Sequence, residues 1–166
     1  MLDIQKILKS LNAHKVKYII VGGTAAIAQG SVHLTFDFDI CYAREKENLE
    51  NLVKALTPFH PYLRGAPRDL PFIFDARTLK AGLNFTFSTD VGDIDIIGEL
   101  SGIGYYDEVI KLSEETEIYN QKCYVLTLEG LIQNKKAVAR KKDLELLTEL
   151  EALREIRKQK KEKKNI

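Results

Sequence analysis

The chain has 166 residues, of which 45% are apolar and 30% charged, and a formal net charge of +1; this predicts one soluble domain with room for a real core. It has no run of 18 apolar residues, and Met1-Leu2-Asp3 leads straight into an amphipathic pattern, so neither a membrane span nor a signal peptide is expected. Cys41 and Cys123 are too few for a disulfide framework and fit no zinc spacing, which makes a reducing cytoplasm the expected location.

Ile4, Ile7, Leu8 and Leu11 recur at helical spacing and predict an opening amphipathic helix. The β-branched run VKYIIV (16–21) reads as a buried strand ending at Gly22-Gly23. TAAIAQ (24–29) is helix-friendly and stops at Gly30, and LTFDFDICY (34–42) alternates as a strand. Leu49, Leu52, Val53 and Leu56 mark a second amphipathic helix. All four prolines then fall between Pro58 and Pro71, which predicts a long irregular loop, and such loops are often functional.

LNFTFST (83–89) and DIDIIG (93–98) read as strands joined by a turn at Asp90-Val91-Gly92. A short helix is expected around Tyr105–Leu112, and TEIYNQKCYVLT (116–127) reads as a hairpin turning at Asn120-Gln121-Lys122. Helices from about Leu128 to Ala139 and from about Lys142 onward close the chain. The order α-β-α-β-α-β-β-α-β-β-α-α predicts an α+β fold, a mixed sheet with helices packed on it. Residues 154–166 carry seven Lys or Arg against two Glu, a net of +5 that leaves the remainder at about −4. The domain is therefore drawn as 1–153 with a basic tail at 154–166, either a solvated helix end or a contact for RNA or an acidic partner.

Asp37 and Asp39 alternate with Phe36, Phe38 and Ile40, so in a strand both carboxylates point to one face. Two anions that close repel unless a cation or strong donors sit between them. Asp93 and Asp95 share a face in the same way, with Ile94 and Ile96 opposite. If the two strands are neighbours, three carboxylates converge on one patch. An oxygen-only cluster suits Mg2+ or Mn2+, and two such ions about 4 Å apart can clamp an in-line phosphoryl displacement. A single D-x-D usually just faces water; two pairs, each within apolar alternation, argue for a site.

Gly22-Gly23-Thr24 between a strand and a helix offers free backbone N–H groups, a hydroxyl and close approach for an anion. An ordinary strand-to-helix turn would look the same, and the signal gains weight from the acids just downstream. NKKAVARKKDLELL (134–147) crowds Lys135, Lys136, Arg140, Lys141 and Lys142 around a helix junction, where they either face solvent or neutralise phosphate charge.

The GG-T turn followed by T-F-D-F-D-I resembles the nucleotidyltransferase superfamily of DNA polymerase beta and kanamycin nucleotidyltransferase, whose signature is a glycine turn, a helix, hDhDh and a third acid on a later strand. LPFIFDARTLKAGLNFTFSTDVGDIDIIGELSG and VLTLEGLIQNKKAVARKKDLELLTELEAL resemble one branch more closely, the minimal single-domain nucleotidyltransferases related to abortive-infection toxins. The resemblance spans roughly residues 5 to 153. It implies that Gly22, Gly23 and Thr24 bind a nucleotide triphosphate, with threonine where serine is commoner. It implies that Asp37 and Asp39 hold the metal ions and that Asp95 supplies the third carboxylate. Lys135, Arg140, Lys142 and Asp143 become a C-terminal helical motif facing the site.

The expected activity is transfer of a nucleoside monophosphate from an NTP to a hydroxyl of RNA, protein or a small molecule. The resemblance also implies a toxin paired with an antitoxin. An aspartate-nucleophile phosphatase would need a later G-D-x-x-x-D, but four residues after Asp93 of Gly92-Asp93 stands Ile97. A non-catalytic nucleotide- or partner-binding module of the same fold is the remaining alternative, and the intact acids Asp37, Asp39 and Asp95 speak against it.

Overall fold

The computed structural model describes residues 1–138 and 140–165. Helix α1 (Ile4–Ala13) leads into strand β1 (Tyr18–Val21), helix α2 (Gly22–Ala28), strand β2 (Asp37–Tyr42) and helix α3 (Lys46–Leu56). A short 3-10 turn precedes β3 (Tyr62–Leu63), followed by α4 (Ala76–Ala81) and the hairpin of β4 (Asn84–Thr89) and β5 (Gly92–Ile97). A small ribbon, β6 (Glu99–Leu100) and β7 (Gly104–Tyr105), runs into α5 (Tyr106–Val109) and a second 3-10 turn. The hairpin of β8 (Ser113–Ile118) and β9 (Gln121–Leu126), then α6 (Leu128–Val138) and α7 (Lys141–Lys164), end the order. Ala139 and Ile166, expected as the last residues of a helix and of the basic tail, lie outside the described residues.

Seven strands form one mixed sheet in the order β3-β4-β5-β2-β1-β9-β8. β2 runs parallel to β5 and antiparallel to β1, which in turn runs parallel to β9. The fold is the α+β arrangement that the sequence predicts. Its register follows from burial. Phe38, Ile40, Ile94 and Ile96 are all fully buried, each contributing about 1.5–3 kcal/mol. A one-residue slip of β2 or β5 would drive aspartates into that core and expose the aromatics and isoleucines. Helix α2 lies against β2, α6 meets α2, and α7 packs on α6, which brings the C-terminal helices to the side where α2 begins.

Four expectations need correction. The strand expected from Leu34 begins at Asp37, because β1 turns into α2 after pairing Val21 with Asp39, and β5 first meets β2 at Asp93. Leu34 and Phe36 therefore have no sheet to cover them and are exposed. The C-terminal hairpin starts at Ser113 and turns at Tyr119-Asn120, both with positive φ, one residue earlier than expected. The proline-rich stretch contains β3, which pairs with β4. An unforeseen helix, α4, follows it, capped by Asp75, whose Oδ1 accepts from the Thr78 N–H at 2.8 Å.

The long C-terminal helix passes through position 153 without a break and carries the basic run to Lys164. Arg157 donates to the backbone and side-chain oxygens of Gln29, which ties that run to the body of the domain.

Candidate active site

In the parallel register of β2 and β5, Asp37 stands opposite Asp93 and Asp39 opposite Asp95. Alternation then puts all four carboxylates on one face, with Phe38 and Ile94 on the other. Asp37, Asp39 and Asp95 each place a carboxylate oxygen within 4.8 Å of the others. The structure thus brings together the three acids singled out from the sequence. Burial and the nearby Asp95 and Asp37 charges push Asp39 up to about 7. Burial also raises Asp95, against the opposing effect of the Arg64 guanidinium. Asp39 Oδ1 is buried without a hydrogen-bond partner. An orphaned carboxylate oxygen beside two further carboxylates fits a divalent cation bound through oxygen.

Gly22 and Gly23, expected as a turn ahead of the helix, are instead its first two residues, and they sit against this cluster. Gly22 adopts φ of +63°, and a Cβ there would overlap Asp39 Oδ2 and lie 2.9 Å from its Cγ. Only glycine satisfies both demands. At Gly23 the neighbour is different: a Cβ would lie 2.6 Å from Thr35 Oγ1, so this glycine serves packing against the segment before β2. Thr24 is buried, and its hydroxyl has no partner. Of these three residues, Gly22 alone lines the cleft above the acids.

That cleft, about 220 Å³, is bounded by Gly22, Asp39, Asp95, Asn134, Lys135 and Arg140 among others. Helix α6 and the start of α7 thus bring two of the predicted cations to it. Lys135 Nζ donates to Asp143 Oδ1 at 3.1 Å, and Arg140 Nε donates to Asp143 Oδ2 at 3.0 Å. Burial would raise the Asp143 carboxyl, but Lys135 and Arg140 together hold it below the usual range. Asp143 therefore fixes both cations where they border the acids. Lys142 is exposed and does not line the cleft.

Arg64 is the residue that sequence reasoning missed. It follows β3, and its side chain passes over β4 to the acids of β5 and β2. Nη2 donates to Asp95 Oδ1 at 2.7 Å and to the Phe87 carbonyl at 3.0 Å. Nε lies 3.3 Å from Asp93 Oδ2, and Nη1 lies 3.9 Å from Asp37 Oδ2. The one available signal was an arginine within an otherwise apolar and proline-rich stretch, LRGAP; its destination depends on the pairing of a two-residue strand.

No family model matches the sequence, and no curated protein matches it. Solved structures share the fold, and two of them illustrate it. One is a Thermotoga maritima protein assigned as a nucleotidyltransferase, 18% identical, with a TM-score of 0.54 over 94% of this chain and 91% of that one. The other is the lincosamide antibiotic adenylyltransferase LnuA bound to lincomycin, 13% identical, with a TM-score of 0.59 over 92% of this chain and 98% of that one. With its mixed sheet, flanking helices and paired acidic strands, the chain has the nucleotidyltransferase fold.

Proposed function

We propose that the chain is a metal-dependent nucleotidyltransferase that moves a nucleoside monophosphate from an NTP to a hydroxyl acceptor, with pyrophosphate leaving. The observation that carries this reading is the convergence of Asp37, Asp39 and Asp95 within 4.8 Å, beside a cleft that Asp39 and Asp95 line, with Asp39 Oδ1 buried and unpartnered. The fold shared with LnuA, an adenylyltransferase by name, supports it.

Asp37, Asp39 and Asp95 would hold Mg2+ or Mn2+. Such an ion, when bound, neutralises charge on the phosphates and stabilises the oxygens of an in-line displacement. The chain's own residues supply position and electrostatics. Asp95, which lines the cleft, would help take the proton of the attacking hydroxyl. Gly22 lets the triphosphate approach the backbone, with Gly23 and Thr24 extending the turn beneath it. Lys135 and Arg140 face the phosphates, and Lys142 contributes charge from the solvent side. No covalent intermediate is needed, because alignment and preorganised charge account for the catalysis.

The acceptor is RNA, a protein hydroxyl or a small molecule, the last being the kind of acceptor that LnuA's name gives. Action as the toxin of a toxin–antitoxin pair belongs to the same reading through the sequence resemblance. NTPs and the two free cysteines, Cys41 and Cys123, both fit a cytoplasmic location. No helix among the described residues is long and apolar enough to cross a membrane. The test is incubation with each α-labelled NTP, Mg2+ and either total RNA or lysate. Label transferred by the wild type and not by Asp39→Asn supports the reading; no transfer and no pyrophosphate from any NTP leaves the binding-module alternative.

A further inference from the structure

Four carboxylates, Asp37, Asp39, Asp93 and Asp95, share one face of β2 and β5, and the guanidinium of Arg64 lies among three of them. Lys135 and Arg140, the cations of the neighbouring cleft, are both already bonded to Asp143. One delocalised charge does not match four carboxylates, and Asp39 Oδ1 is left buried without a partner. Arg64 nevertheless contacts two of the carboxylates that a metal would need. Nη2 occupies Asp95 Oδ1, and Nη1 stands near Asp37 Oδ2, so two of the three oxygen-bearing residues of the cluster are shared between this side chain and any entering cation.

The placement of Arg64 is built rather than incidental. Its backbone N–H donates to the Thr86 carbonyl at 3.0 Å, and Thr86 pairs directly with Asp95 across β4 and β5. The Phe87 carbonyl takes a second bond from Nη2. Asp93, two residues from Asp95 and more exposed, lies outside the three-acid cluster and pairs with Nε by charge at 3.3 Å, without a hydrogen bond, so it offers the guanidinium an alternative place to rest.

Resting on the proposed metal-dependent transfer, we infer that Arg64 is an exchangeable counter-ion of the acid cluster: it holds the carboxylates together in the metal-free protein and releases Asp95 and Asp37 to a divalent cation while staying on Asp93. Its positive charge opposes a bare cation in the same place. Metal alone therefore binds weakly, and metal carried in with the phosphates of an NTP binds well, because the extra negative charge offsets the repulsion. Arg64 is thus a positioning residue that couples metal loading to substrate arrival.

The experiment measures Mn2+ binding by electron paramagnetic resonance on full-length wild type, Arg64→Gln and Arg64→Lys, with and without NTP, and Asp39→Asn as the control without a site. Removing the competing cation should tighten binding of Mn2+ alone by about tenfold, the order set by losing one charge-assisted hydrogen bond. The advantage that NTP confers should shrink correspondingly. Arg64→Lys keeps the charge without the planar fork and should fall between the two; it also carries the test if Arg64→Gln fails to fold. A merely structural arginine would give folded variants whose Mn2+ affinity is unchanged or weaker, and that result overturns the exchange. If wild type binds Mn2+ no better than Asp39→Asn even with NTP, the metal-dependent reading itself falls, and the exchange with it.

Discussion

Gly22 lies so close to Asp39 that no side chain can stand between them, and its backbone is left-handed as well. The contact joins the first residue of α2 to the central acid of β2. Gly22→Ala should therefore cost about 1–2 kcal/mol from the backbone conformation alone, and more from displacing the Asp39 carboxylate. We expect a lower melting temperature together with loss of Mn2+ binding. A variant that melts lower yet binds Mn2+ as wild type does would separate the turn from the acid cluster.

The same carboxylate sets a pH dependence. In the folded chain Asp39 is raised to about 7 by burial and then by Asp95 and Asp37, against about 3.9 in an unfolded chain. A raised carboxyl favours the folded state at low pH. That contribution is lost progressively as pH climbs from about 4 to about 7. Metal-free wild type should accordingly melt lower at pH 8 than at pH 5.5. Asp39→Asn should remove most of this difference, be the more stable protein at pH 8, and show no thermal shift with Mg2+. Parallel melting curves in EDTA and in Mg2+ across this range decide the matter; a pH-independent wild type, or an Asp39→Asn protein less stable at pH 8, contradicts it.

Much of this geometry was legible because it is local. The alternation of Asp37 and Asp39 with Phe38 and Ile40, and of Asp93 and Asp95 with Ile94 and Ile96, specifies which face each side chain takes once a strand forms. The change from strand to helix near Gly22 and the two helices that carry Lys135 and Asp143 were legible for the same reason, although the helix starts at Gly22 itself and only that glycine reaches the cleft. What could not be read is set by partners far along the chain. Leu34 and Phe36 continue the alternation, but a strand needs a neighbour, and β1 has already turned away at Val21. Arg64 reaches the acids only because Leu63 pairs with Phe87 and β4 pairs with β5, two non-local choices that no pattern around LRGAP encodes. Gly23 and Thr35 are a packing pair for which the sequence has no periodic signal.

Asp143 is almost fully buried and is the shared acceptor of Lys135 and Arg140. Replacing it with alanine leaves the largely buried Lys135 without its counter-ion. Losing one partner of such a pair costs about 3 kcal/mol. The carboxyl is held low by Lys135 and Arg140 against the effect of burial. Its stabilisation is therefore present above the unfolded carboxylate range and lost as pH falls through the folded value. Asp143→Ala should melt well below wild type at pH 7, with the gap narrowing in acid, and should bind NTP more weakly as Lys135 loses its anchor. A Lys135→Met/Asp143→Leu double replacement should recover stability but not NTP binding. Recovery of both would mean that the pair serves packing alone.

Asp95 and Asp93 share one face of β5 by alternation, but they differ in what they border. Asp95 stands opposite Asp39, borders the cleft and belongs to the cluster within 4.8 Å. Asp93 stands opposite Asp37 at the mouth of β5, and its side chain is 39% exposed against 20% for Asp95. Removing Asp95 deletes a candidate metal ligand and frees the strongest of the Arg64 contacts. Removing Asp93 deletes only the anchor of Arg64 Nε, which lets the guanidinium settle more firmly on Asp95. Asp95→Ala should thus abolish transfer at any Mg2+ concentration. Asp93→Ala should keep much of the activity at saturating Mg2+ while requiring several-fold more metal to reach it, the size expected when one partly exposed ion pair is redistributed. Turnover of each purified variant against Mg2+ concentration, with circular dichroism to verify folding, makes the distinction. An inactive Asp93→Ala beside an active Asp95→Ala would place the third acid two residues earlier and take the cluster apart.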